Sequence, residues 1–167
     1  KAQPAIRTVV VVGGGSLVEG LRTLDRLHHL DAETSHWMAI DLMDVTARLF
    51  QSLVPDSVLA TTPAEVAAKP GDRPFVFAAG KFLREVEPQL AGEQLSRNWS
   101  VTSDSISARL ASAWGADELV LLKSMAPPET CDPADWMQLA DRGYVDAAFA
   151  RYALKCRNVR AEDLKAW

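Results

Sequence analysis

Apolar and polar residues alternate between two textures along this chain. Short continuous apolar runs end at glycine, proline or a charged residue, and between them apolar residues recur every three or four positions. The run RTVVVV, residues 7–12, is rich in β-branched residues, stops at glycine and predicts a buried strand. From Ser16 onward Leu17, Leu21, Leu24 and Leu27 keep helical spacing as far as His28 and His29. A second helix is expected from about Ser35 to Leu53, where Met38, Leu42, Val45, Leu49 and Leu53 set one apolar stripe along one face.

Farther along, prolines break residues 54–74, which predict at most a short strand at Val58–Ala60 and one helical turn. PFVFAAG, Pro74 to Gly80, predicts a second buried strand. After a loop through Pro88 and Gly92, the positions Ile106, Leu110 and Trp114 mark a helix that ends at Gly115. ELVLLKS follows as a third buried strand, closed by MAPPETCDP, and the tail from about Ala134 holds a short helix and a weaker αβ-like remainder. Strands alternating with helices predict an α/β fold, with a mostly parallel sheet covered by helices on both faces as a three-layer α/β/α sandwich. The 167 residues suit one domain with a real core, and neither an internal repeat nor a low-complexity tract stands out.

Composition narrows the function classes. The formal charge of −4, without a basic patch, argues against a nucleic-acid partner. Such small acidic domains bind small molecules or other proteins. Cys131 and Cys156 have no metal-ligand spacing and suit a reducing cytoplasm. No apolar run is long enough to span a membrane, and KAQPAIRT lacks the hydrophobic core of a signal peptide. The expectation is a cytoplasmic domain with no membrane partner.

Candidate chemistry gathers at four places. Gly13, Gly14, Gly15 and Ser16 join a strand to a helix, which aims free N–H groups outward as an anion site. The same triplet equally serves as a tight turn that needs positive φ. It is not a Walker loop, since no Gly-Lys-Ser/Thr follows, and Val18 stands where a dinucleotide fingerprint needs its third glycine. In WSVTSDSIS, Thr102 or Ser103 can cap the following helix, and Asp104 lies in its first turn, where negative charge is favoured. The density of hydroxyls around Asp104, Ser105 included, also suits a carboxylate that orients a lysine or a metal-bound phosphate. Lys123 follows a buried run directly, at the carboxyl edge where open α/β sheets bind ligands, although many strands simply end in a solvated lysine. In TSHWMAIDLMD, His36 reads as a helix cap before a catalyst, Asp41 and Asp44 as solvated charges, and His28-His29 as surface.

Taken in order, these segments resemble the amino-acid kinase superfamily, the fold of acetylglutamate, aspartate, carbamate and uridylate kinases. VVVVGGG is similar to that family's second glycine-rich loop, and SHWMAIDLMD to its substrate-side helix. WSVTSDSISARLA resembles its active-site segment, and ADELVLLKS the strand that follows. The combination most resembles kinases of methanofuran and tetrahydromethanopterin biosynthesis, which phosphorylate an aminomethylfuran phosphate with ATP. The likeness covers residues 6–125. It implies that Gly13, Gly14, Gly15 and Ser16 hold the substrate or the transferring phosphoryl, with His36, Thr102 and Ser103 beside it. It also implies that Asp104 orders catalytic lysines, and that Lys123, Ser124 and Ser105 lie on the nucleotide side. ATP and Mg²⁺ are the implied cofactors, and a homo-oligomer the implied assembly. Against that family, the expectation is a single domain lacking the first strand and first glycine loop, Lys-x-Gly-Gly-Ser, with a shortened nucleotide half.

Three readings follow. The first is an ATP-dependent small-molecule kinase, and the second a non-catalytic binding or regulatory protein that retains the kinase fold. A nucleotide-dependent dehydrogenase is third, disfavoured by Val18 and by the lack of an acidic residue ending a second strand.

Overall fold

In the computed structural model, which describes residues 6–126 and 135–166, every strand pairing is parallel. Cys131 and most of the segment expected to close the third strand lie outside those residues. The chain divides into two units, residues 1–99 and 100–167. In the first, β1 (Val9–Val11) leads into α1 (Gly15–His28) and α2 (Ala32–Leu53), followed by β2 (Val58–Ala60), α3 (Pro63–Ala67) and β3 (Phe75–Phe77). A single turn, α4 (Ala79–Lys81), then widens into a π turn over Phe82–Val86 and tightens over Glu87–Gln89. In the second unit, α5 (Ser103–Trp114) and β4 (Leu119–Lys123) precede α6 (Trp136–Asp141), α7 (Phe149–Ala153) and β5 (Val159–Asp163). The molecule is a mixed α/β protein with one small parallel sheet in each unit.

Local chemistry sets the helix ends. Asp31 accepts the Thr34 N–H at 3.0 Å, which starts α2 three residues before the expected Ser35. Thr62 accepts the Glu65 N–H while the Glu65 carboxylate returns to the Thr61 N–H at 2.7 Å, a capping-box exchange that starts α3 behind Pro63. Gly115, at φ 62°, ends α5 in the left-handed conformation.

The first sheet has the order β1-β3-β2, with Val10 and Leu59 both in register with Val76. Phe75, Val76 and Phe77 of the middle strand are buried. The outer strand at residues 9–11 is only half-buried, a correction to the fully buried strand expected over 7–12. The physical reason is position: an edge strand has a neighbour on one side alone. In the second sheet Leu121 is buried while Leu122 is exposed, so ELVLLKS is not the fully buried strand its composition predicts.

α2 departs most from its pattern. The stripe Met38, Leu42, Val45, Leu49 and Leu53 exists, but all except half-buried Leu42 are exposed. The face that packs inward is Ser35, His36, Ala39, Ile40, Met43 and Ala47. Small Ala47 lets the helix approach Val76 and Ala78 closely, with Val12, Phe50 and Leu59 around them. Among the described residues, no helix is long and apolar enough to cross a membrane.

Phe77 is buried and meets Phe82 edge-to-face at 6.0 Å. Phe77→Ala should cost about 3–5 kcal/mol through lost transfer energy and a cavity. Leu27→Ala, at a position 68% exposed, should stay within about 0.5 kcal/mol of the parent. Urea unfolding midpoints compare the two, and equal losses would contradict this assignment of the core.

Candidate functional site

The second unit gathers its polar side chains around the start of α5. Thr102 is the N-cap of that helix, yet its own hydroxyl caps nothing. Asp146, which lies between α6 and α7, supplies the missing acceptor. Its Oδ2 takes the Thr102 N–H at 2.8 Å, the Thr102 hydroxyl at 2.9 Å and the Ser105 N–H at 2.9 Å. Its Oδ1 takes the Ser105 hydroxyl. A carboxylate there satisfies orphan N–H groups and faces the positive end of the helix dipole.

Beside it lies a charge pair. Lys123 Nζ, at the carboxyl end of β4, donates to Asp104 Oδ2 at 2.7 Å, and their side chains are 20% and 13% exposed. The Asp146 backbone N–H reaches the same Oδ2 at 3.3 Å. The Tyr144 ring centre stands 5.6 Å from the ammonium. Burial raises the Asp104 pKa above its ordinary value, Lys123 pulls it down, and nearby Asp146 adds to the rise. The arrangement stores a cation and a carboxylate in a half-dry setting, where charge interactions exceed those in water.

Thr102, Ser105, Asp104 and Lys123 are therefore joined through one network. Ser105 is fully buried, with its hydroxyl spent on Asp146. Ser103 is half-buried and its carbonyl accepts the Ser107 hydroxyl at 2.7 Å. Ser124 is exposed just beyond β4. Asp146 escaped sequence reasoning, because an isolated aspartate in GYVDAAF has no local pattern to distinguish it.

In the first unit the glycine turn follows β1. Gly14 is buried, and a Cβ there would meet Val18 Cγ2 at 2.0 Å, so only glycine fits. Gly15, at φ 54°, opens onto free space, and Ser16 after it is exposed. The Gly13 carbonyl accepts the Thr46 hydroxyl of α2 at 3.0 Å, which holds the turn to that helix. His36 is buried, not a cap: its imidazole bonds the Asn98 backbone and meets Trp37 edge-on, and burial lowers its pKa. These first-unit residues and the Asp104 network belong to different units.

Asp44 overturns its expected place among the solvated charges. Its Oδ1 accepts the Gly80 N–H at 3.0 Å at the start of α4, and burial raises its pKa against that bond. A Cβ at Gly80 would meet Asp44 Oδ2 at 2.3 Å, so glycine permits the contact. Asp41 stays exposed, bonded to Arg84 at 2.7 Å. Among the described residues no three His, Cys, Asp or Glu side chains converge to hold a metal. No family model and no curated protein matches this chain.

Two outcomes test this geometry. Asp146→Ala should destabilise the protein by about 2 kcal/mol or more, since α5 loses its cap and Ser105 its buried partner. Hydrogen exchange should then quicken first at the start of α5. The second test uses pH. Because the folded Asp104 pKa lies above the unfolded value near 3.8, its contribution to stability falls as pH rises through that window. Asp104→Asn removes this titration. The stability of the parent relative to Asp104→Asn should therefore decline as pH rises from the unfolded pKa of 3.8 through the higher folded one, as read by urea unfolding. A flat difference would contradict the assigned direction.

Proposed function

We propose that this chain is a cytoplasmic small-molecule kinase of the amino-acid kinase type, a three-layer α/β/α protein that transfers phosphoryl from ATP to a small acceptor. The observation that carries the reading is the Asp104–Lys123 pair at the start of α5 and the carboxyl end of β4. Phosphoryl transfer asks mainly for positioning and positive charge, and the Asp104 carboxylate fixes the position of the Lys123 ammonium. ATP, when bound, supplies the transferable phosphoryl group. Lys123 then pairs with phosphate oxygens, and Asp104 keeps its ammonium aligned. The open side of Gly15 and the exposed Ser16 suit the approach of an anionic group to backbone N–H donors. With no three-ligand metal group among the described residues, Mg²⁺ would come bound to the phosphates, as this ion commonly does.

The acceptor in this reading is an aminomethylfuran phosphate of one-carbon cofactor biosynthesis, and the working form is a homo-oligomer. A second reading, binding or regulation without transfer, is favoured by one observation. Lys123 is already neutralised by Asp104, which leaves the pair without net charge for a nucleotide.

Mg-ATP should raise the melting temperature of the chain, because a ligand that binds the native state stabilises it. With an aminomethylfuran phosphate as acceptor, a coupled assay should detect ADP. Lys123→Met should lower turnover by about 100-fold or more. Stabilisation by Mg-ATP without turnover selects the binding reading, and no stabilisation rejects the kinase.

A further inference from the structure

Asp104 uses its two carboxylate oxygens unequally. Oδ2 accepts both the Lys123 ammonium at 2.7 Å and the Asp146 N–H at 3.3 Å. Among the described residues, none donates to Oδ1. The side chain is 13% exposed, so solvent reaches it. One oxygen is engaged and the other empty, which leaves a place for a proton that breaks neither bond. A neutral carboxyl still accepts at Oδ2.

The charges around Asp104 give that proton a use. Lys123 faces it from β4, and Asp146 and the Tyr144 ring from the segment ahead of α7. Asp163 of β5 stands opposite Lys123 in the sheet register, and Arg151 lies on α7, which packs against α5. Arg109 is buried farther along α5 itself. Burial pushes the Asp104 carboxyl above its ordinary pKa; Lys123 opposes that rise and Asp146 adds to it. Two carboxylates thus confront one ammonium. A phosphate drawn to Lys123 brings more negative charge beside Asp104, and in a half-dry setting this favours the neutral acid. Once neutral, Asp104 leaves Lys123 its full charge and presents a hydroxyl at Oδ1.

We propose that Asp104 takes up one proton from solvent at Oδ1 when a phosphate group binds Lys123, and donates it as a hydrogen bond to a phosphate oxygen. The site therefore takes its anion together with a proton. This rests on the proposed pairing of Lys123 with phosphate oxygens, and it removes the obstacle of a pair already neutralised in the ligand-free protein.

Calorimetric titration of the intact chain with Mg-ATP, repeated in buffers of different ionisation enthalpy, counts the protons taken up. Between the free and bound pKa values of Asp104, uptake should approach about one proton per site, and affinity should fall up to about tenfold per pH unit. Sulfate, which stays fully ionised, separates uptake by the protein from proton exchange on ATP. Asp104→Asn, whose amide resembles the neutral acid, should bind either anion without uptake and more tightly than the parent at the alkaline end of the scan. If Asp104 only positioned Lys123 as a carboxylate, the variant would bind more weakly at every pH. Infrared difference spectra of the parent should gain a neutral-carboxyl band on binding, a readout that needs no variant. Mg-ATP binding without proton uptake overturns the proposal and leaves the kinase reading standing, as does equal uptake by Asp104→Asn. Sulfate binding with uptake, but no binding of Mg-ATP, rejects the kinase alone. If neither anion binds, both fall.

Discussion

Four hydrogen bonds converge on the carboxylate of Asp146, and the second unit is arranged around them. The start of a helix leaves N–H groups without partners, and here the helix's own N-cap, Thr102, leaves them unmet. Asp146 meets that need from a distant part of the chain. In doing so it ties the start of α5 to the segment between α6 and α7 and aims its own N–H at Asp104. The Asp104–Lys123 pair thus sits beside a helix start whose Thr102 and Ser105 groups are already bonded to Asp146, and what it can offer a ligand depends on that prior arrangement.

The first unit solves a related problem with small residues. Ala47 brings α2 close to the middle strand, and Gly80 lets the Asp44 carboxylate cover the start of α4. Gly14 lets α1 begin directly after β1, while Thr46 fastens the turn. Each contact depends on missing side-chain atoms. The cost of removing Asp44 from water is visible in its raised pKa, which the Gly80 bond offsets only in part.

Much of this was legible beforehand, for identifiable reasons. The α5 helix and its end at Gly115 follow from apolar spacing and a glycine stop, both local signals. Val58–Ala60 was expected as a strand, with a helical turn after it, and both are present. The π turn after α4 was not foreseen, since such a distortion leaves no periodic mark in the sequence. The stripe on α2 was read correctly as a stripe, yet its exposure was hidden: periodicity tells which residues share a face, not which neighbour covers it.

The sequence alone determined the alternation of helices and strands, the place of the glycine turn and the clustering of hydroxyls around Asp104, because all of these depend on residues close together in the chain. Tertiary structure decided the rest. It recruited Asp146 to cap α5, drew Asp44 out of solvent, spent Ser105 on a buried bond and turned the small-residue face of α2 inward. Those outcomes come from desolvation and close packing between segments 30 or more residues apart, as with Asp44 and Gly80, whose separation is 36. Such energies appear only once the chain has folded and water has left.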